Sequence, residues 1–247
     1  MEEPNTKYAI HAACREGQTT RVESLLATSP KLTTLRDPDD RLPLHWAVSY
    51  NHLPIIHLLH ASPHFSVDAP DALGWTPLMM ACSRKDAEPI ITLLLQLGAD
   101  PNAKTHNGQT ALHFAASKQN LDVVRMLLGV GGAEKGTGTG REKASARVKD
   151  KRGQLALHRA AAVGSAPVMK ALLEARSPLN ATDADGMTAL HHAVCEGHGD
   201  AAMLLLTAGA EWEKEDGEGR RALDLAPDAK TRSYIVQAAE REGIDLE

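Results

Sequence analysis

The sequence predicts an all-α solenoid of seven helix-turn-helix repeats joined by β-hairpin fingers, and three observations predict it. A tetrad recurs along the chain: Leu42-Pro43-Leu44-His45, Thr76-Pro77-Leu78-Met79, Thr110-Ala111-Leu112-His113, Leu155-Ala156-Leu157-His158 and Thr188-Ala189-Leu190-His191. Degenerate copies stand at Tyr8-Ala9-Ile10-His11 and Arg221-Ala222-Leu223-Asp224. The third position of each tetrad falls at residues 10, 44, 78, 112, 157, 190 and 223, giving steps of 34, 34, 34, 45, 33 and 33. Aromatic residues make up only 3% of 247 residues although 43% are hydrophobic, so Ala and Leu must fill the core. Such small side chains suit closely packed short helices better than a β-sandwich.

Each element of the repeat has its own justification. Turn formers precede the tetrad, as in Asp71-Ala72-Leu73-Gly74, His106-Asn107-Gly108 and Asp183-Ala184-Asp185-Gly186. Gly or Asn there allows the positive φ of a tight finger tip. A tetrad Thr can cap the first helix, with Pro or Ala at its first helical position. The first helix is Ala-rich, as in His113-Phe114-Ala115-Ala116-Ser117, so neighbouring repeats can approach closely. The second helix carries apolar residues at helical spacing, for example Val123, Val124, Met126, Leu127 and Leu128. Segments such as Gly98-Ala99-Asp100-Pro101-Asn102-Ala103 then end the unit and begin the next finger. Period and tetrad together resemble the ankyrin repeat.

This reading makes residues 1–247 a single ankyrin-repeat domain, with repeats at about 4–36, 37–70, 71–104, 105–149, 150–182, 183–215 and 216–247. One repeat cannot bury its own apolar face, so the end copies are expected to be altered into caps. The first lacks a finger before Lys7, and the last carries Asp224 in place of the tetrad His before a charged helix from Asp228 to Glu242. The long step of 45 places about a dozen extra residues, rich in Gly, Thr and Lys, in the fourth repeat. A flexible insertion over 129–147 is the expectation, since such a composition cannot supply a core.

Composition excludes several function classes. A formal net charge of -5 argues against nucleic-acid binding, which normally needs a basic excess. No apolar run approaches the roughly 20 residues that span a bilayer. The start Met1-Glu2-Glu3-Pro4 lacks the basic-then-apolar order of a signal peptide. Cys14, Cys82 and Cys195 are far apart and odd in number, which fits buried free thiols in a reducing compartment.

No catalytic, cofactor-binding or metal site emerges, and the chain is expected not to be an enzyme. The five tetrad histidines, His11, His45, His113, His158 and His191, recur with the repeat, and the resemblance to ankyrin repeats implies that they hydrogen-bond backbone between adjacent units. The group His191, His192, Cys195 and His198 matches no closed zinc spacing. The glycine-rich stretch at 129–140 lacks the phosphate-loop order and no strand precedes it. Glu23, Asp86 and Glu88 have no partner at acid/base spacing, and no Ser or Cys has a nucleophile context.

A protein-binding surface is the remaining expectation. In such a solenoid the finger tips and first helices line a concave face. Acidic residues gather there early (Asp37, Asp39, Asp40, Asp71, with Arg41 among them) and basic ones in the middle (Arg84, Lys85, Lys104, Lys118, Lys149, Lys151, Arg152, Arg159). Later positions return to acid through Asp183, Asp185 and Glu196. Trp46 and Trp75 lie near finger-to-helix junctions, and large aromatics are enriched as interface anchors.

Here the resemblance narrows. The run Asp37-Pro38-Asp39-Asp40-Arg41-Leu42-Pro43-Leu44-His45-Trp46-Ala47 resembles the second repeat of the gankyrin family. Gly74-Trp75-Thr76-Pro77-Leu78, Leu112-His113-Phe114-Ala115-Ala116-Ser117-Lys118 and His158-Arg159-Ala160-Ala161-Ala162 are similar to later repeats. The resemblance implies a chaperone for assembly of the 26S proteasome regulatory particle. It would bind the C-terminal domain of a base ATPase subunit and hinder premature docking on the proteolytic core. Asp37, Asp39 and Arg41 would face basic and acidic partner groups and Lys118 an acidic one, with Trp46 and Trp75 as anchors. Phe114 and the charges at Asp71, Arg84, Lys85, Arg152 and Arg159 complete the expected contact set. A free monomer in the cytoplasm, and also in the nucleus, is implied. Two departures stand out: the insertion has no counterpart, and His192 and Val194 replace the Leu and Cys of the retinoblastoma-binding Leu-x-Cys-x-Glu motif of animal members. The alternative is another ankyrin adaptor, such as a cyclin-dependent kinase inhibitor or a scaffold.

Overall fold

The computed structural model describes residues 7–129 and 142–246. They group into two compact units, residues 7–106 with Glu142, and residues 107–129 with 143–246, where the sequence suggests one domain. The division follows the third repeat, whose tetrad carries Met79 in place of the imidazole.

The first unit holds three helix pairs: α1 (Ala9–Glu16) with α2 (Thr19–Thr28), α3 (Pro43–Ser49) with α4 (Leu53–His60), and α5 (Pro77–Cys82) with α6 (Glu88–Gln96). A 3-10 turn, Pro30–Thr34, follows α2. The second unit holds α7 (Ala111–Ser117) with α8 (Leu121–Leu128), α9 (Ala156–Ala162) with α10 (Ala166–Glu174), and α11 (Ala189–Cys195) with α12 (Gly199–Thr207). It ends with a 3-10 turn, Ala222–Leu225, and α13 (Ala229–Arg241). The first helices begin within the tetrads, α3 at Pro43, α5 at Pro77, α7 at Ala111, α9 at Ala156 and α11 at Ala189.

The first helices carry small side chains into the interior of each unit: Ala47 and Ala81 in the first, and Ala115, Ala160 and Ala193 in the second, are wholly buried. Second helices supply the bulk, with Ile55, Ile56 and Leu59 buried in α4 and Ile90, Ile91 and Leu94 in α6. Packing of these apolar stripes, rather than propensity, stabilises helices this short.

Where a tetrad histidine is present, it fastens its repeat to the next within the same unit. In His45, His113, His158 and His191, Nδ1 accepts the backbone N–H three residues earlier at 2.9, 3.1, 3.0 and 3.2 Å. That bond fixes the proton on Nε2, which donates to the carbonyls of Trp75, Gln154, Ala181 and Arg220 respectively. His11 reaches the carbonyls of Leu35 and Arg41 through Nε2. In the last repeat the Asp224 carboxylate takes over the inner bond, accepting Arg221 N–H at 2.9 Å. It has no N–H to offer a further carbonyl.

Residues 130–141, most of the expected insertion, lie outside the described residues. At its far end, 142–147, the expectation of a flexible run is corrected. Ala144 and Ala146 are buried. Ala144 N–H donates to Leu127 O at 2.9 Å, and Ser177 Oγ donates to Ala146 O at 3.1 Å. This stretch is the first part of the following repeat.

Candidate protein-binding surface

The fingers are tight turns rather than strands; one isolated bridge, Glu215 to Arg221, forms among the described residues. Five fingers begin with Asp: Asp37, Asp71, Asp150, Asp183 and Asp216. In each, the Asp N–H donates to the carbonyl four residues on. Its Oδ1 accepts the N–H groups two and four residues on, at 2.8–3.0 Å. One carboxylate oxygen thus satisfies the inward-pointing donors of a whole turn. Successive tips are joined through backbone, with Ala72 N–H to Asp39 O and His106 N–H to Leu73 O in the first unit. Lys151 N–H to Asn107 O, Ala184 N–H to Arg152 O and Gly217 N–H to Asp185 O do the same in the second. Gly74, at φ +79°, shows how close this approach is: a Cβ there would stand 2.8 Å from His106 N.

The second carboxylate oxygen holds the first helix. Asp37 Oδ2 accepts Trp46 Nε1–H at 2.7 Å, Asp150 Oδ2 accepts from Arg159 at 3.0 Å, and Asp183 Oδ2 pairs with His192 Nε2 at 2.9 Å. The spacing is nine residues each time, so Trp46, Arg159 and His192 occupy one repeat position. Partial burial pushes Asp37 and Asp183 up. Their hydrogen bonds outweigh it, chiefly from Arg41 N–H and Trp46 in one case and Gln154 and His192 in the other. Both carboxyls end below the usual range. The N–H of Arg220, then its guanidinium, holds Asp216 down at about 2.

These contacts redistribute the expected site residues. Asp71 is corrected: it is 6% exposed, and its Oδ2 receives Arg41 Nε at 3.4 Å, so its carboxylate is turned inward. Arg41, half-buried, also lies over the Trp46 ring, 5.5 Å from its centre. Arg15 stands 6.0 Å from that ring and Tyr50 stacks against it at 6.2 Å. Trp46 is therefore packed among side chains of its own unit. Asp37 and Arg159 are half-buried and spent on the finger. Trp75 and Arg84 line an open hollow of about 370 Å³ with Arg41, Ser49, Leu73, Met80 and Ser83. Arg84 donates to Ser49 O from one side of it. Asp39 and Lys85 are exposed in the first unit, Lys118 and Arg152 in the second, and Phe114 is half-buried on α7. Arg152 pairs with Asp185 at 3.6 Å, both largely exposed.

Sequence reasoning missed Leu73 and Tyr50, apolar side chains 62% and 50% exposed in the first unit. The signal for Leu73 was its place: a finger tip that elsewhere holds Asp39, Asn107, Arg152, Asp185 or Glu218. It also took all three cysteines as buried. Cys14 and Cys82 are, and burial pushes both thiols up, Cys14 to about 12, but Cys195 is exposed. His191, His192 and His198 turn to separate partners, Arg220 O, Asp183 and Ala162 O. Among the described residues no group of three His, Cys, Asp or Glu is placed to hold a metal ion, and no helix is long and apolar enough to cross a membrane.

Comparison with known proteins places the repeat and a narrower likeness. A family model for ankyrin repeats (3 copies) matches residues 1–71, 59–139 and 140–216. The probable 26S proteasome regulatory subunit p28 of Saccharomyces cerevisiae is 37% identical over 170 residues, covering 68% of this chain and 69% of that one. The ankyrin repeat-containing protein C6C3.08 of Schizosaccharomyces pombe is 36% identical over 121 residues, 48% of this chain and 50% of that one. Among solved structures, the ankyrin repeat domain of Bcl-3 superimposes with a TM-score of 0.73 at 24% identity, covering 95% of this chain and 99% of that one. The human ASB11 ankyrin repeat domain gives 0.75 at 21%, covering 93% and 96%. At these identities the structures speak for the fold alone.

Proposed function

Because the chain belongs to the gankyrin family of ankyrin-repeat proteins, we propose that it is an assembly chaperone of the proteasome regulatory particle. In this reading it binds the C-terminal domain of one base ATPase subunit and holds it back from the proteolytic core until assembly is complete. The observation that carries the proposal is the 37% identity with a proteasome regulatory subunit over 170 residues. The free protein is a monomer and works in cytoplasm and nucleus.

Burial and pairing support a division of labour within this proposed contact set. Asp39, Lys85, Lys118 and Arg152 are exposed charges that can meet the partner. Leu73, Trp75 and Arg84 surround a hollow suited to a protruding side chain. Asp37, Asp71 and Arg159 act through the finger they hold, and Trp46 with Arg41 forms a preorganised wall. Preorganisation of this kind lowers the entropic cost of association.

Affinity purification of the protein from its native cells, with identification of the co-purifying subunits, tests the reading. A proteasomal ATPase is expected among them, and its absence overturns the proposal. With purified components, Asp39→Lys and Lys118→Glu are each expected to weaken capture of the ATPase domain by about tenfold, more at low salt.

A further inference from the structure

The segment that leads from the described end of the fourth repeat into the fifth finger alternates strictly. Lys143, Ser145, Arg147, Lys149 and Lys151 are exposed, while Ala144, Ala146 and Asp150 between them are buried and Val148 is half-buried. Turns at Ala146–Arg147 and from Lys151 interrupt the backbone, and exposure still alternates on either side of them. Four of the five outward positions are cations. The one acid in the run, Asp150, is turned inward to its finger and to Arg159. Arg152 at the tip is balanced by Asp185.

Two of the cations are held in place without being neutralised. Arg147 Nε donates to Arg176 O at 3.2 Å, and Lys149 Nζ donates to Thr182 O at 2.7 Å. A carbonyl acceptor fixes the head group and leaves its full charge and remaining N–H donors facing outward. Arg147, Lys149 and Lys151 make no ion pair with a described residue.

The same register two repeats later, still within the second unit, has the opposite sign. Glu213 and Glu215 are exposed, as is Glu211, which pairs with half-buried Lys214 at 3.6 Å; Trp212 is half-buried and Asp216 buried. Between the two edges, the sixth repeat offers neutral Asn180 and Thr182. An acidic chain attracted to the first edge is therefore repelled by the last, which confines it to about one repeat.

We propose that the edge Lys143, Arg147, Lys149 and Lys151 is a docking site for an extended acidic segment of a partner protein, with Glu or Asp at alternate positions. The complementary charge lies on every second exposed position, and the head groups of Arg147 and Lys149, held by carbonyls, fix two of the points that alternate acids would meet. The inference goes beyond the chaperone reading and stands whichever protein carries the segment.

Fluorescence anisotropy with a labelled nine-residue peptide of alternating Glu and Ser tests it on the full chain. Saturable binding is expected, weakened about tenfold when Arg147→Glu and Lys149→Glu are combined and again by raised salt. Lys170→Glu, an exposed cation on α10, is expected to change it less than about twofold. An unchanged melting temperature establishes that the double variant is folded, and Arg147→Gln with Lys149→Gln is the milder version should it not be. Absence of binding, or binding indifferent to these changes, overturns the proposal. So does equal affinity for a peptide with its five Glu contiguous, or for oligouridylate of the same charge. Asp39→Lys, in the first unit, is expected to leave peptide binding intact, so failure of this inference and failure of ATPase capture are distinguishable.

Discussion

Asp39 and Asp71 carry the same charge at neighbouring finger tips, yet they do opposite work. Asp71 is buried, and its two oxygens take two backbone N–H groups and Arg41, so Asp71→Ala leaves three partly buried donors without acceptors. It is expected to cost about 2–4 kcal/mol of folding stability in denaturant titration, against less than about 0.5 for exposed Asp39→Ala. Similar losses for both would contradict the finger account. Sequence alone ranked the two together because burial, not residue type, separates them. Histidine 158 gives a pH prediction. Burial first, and the neighbouring His192 second, lower it from 6.5 to about 4. A folded-state pKa below the unfolded one means that stability is intact above 6.5 and falls as pH drops from there towards 4. The loss is worth roughly 3 kcal/mol from this residue. His11, His45 and His191 are lowered in the same direction. Thermal unfolding between pH 7 and 4 measures the slope, and His158→Gln is expected to flatten it while lowering stability at pH 7.

At the scale of elements, the long step in the repeat period has two parts that composition did not separate. Gly129 ends α8 in the left-handed conformation, and the Ala144 N–H returns to Leu127 within the same helix end. The folded repeat is thus closed across the gap between residues 129 and 143. Deleting 130–141 is expected to shift the melting temperature by no more than about 3 °C, since closing a shorter loop changes the entropy only slowly. A fall of ten degrees or more in calorimetry would show that the insertion supports the fold. The turn residues, tetrads and second-helix stripes were legible because each repeats a local rule. The buried half of 142–147 was not, because Ala and Ser carry no periodic signal strong enough to override a glycine-rich neighbourhood.

For the whole molecule, stability rests on repeats covering one another. The last repeat buries Ile235 and Ala239 from α13 and seats the Tyr234 ring over Gly199, where a Cβ would stand 2.5 Å from it. Removing residues 222–247 uncovers the apolar side of α11 and α12. The truncated chain is expected to melt at lower temperature and to bind a hydrophobic dye that the full chain does not. Retention of the full-length melting temperature would refute the capping role of that repeat. The proposed partner surfaces draw on the same logic, since finger tips joined by backbone bonds present charges at fixed spacing.

What the sequence determined by itself is everything that recurs: the ankyrin fold, the placing of the helices after the tetrads, the tetrad histidines and, through likeness over 68% of the chain, the family. These are decided by local chemistry copied at a fixed period, so a linear reading recovers them. Only the tertiary structure decided which charges are spent. Asp37 and Asp71 close fingers and Arg159 anchors one, while Asp39, Lys118, Arg147, Lys149 and Lys151 keep their charge towards solvent. That division depends on which carboxylate oxygens meet a neighbour's N–H groups after folding, a distance in space that the one-dimensional spacing does not contain.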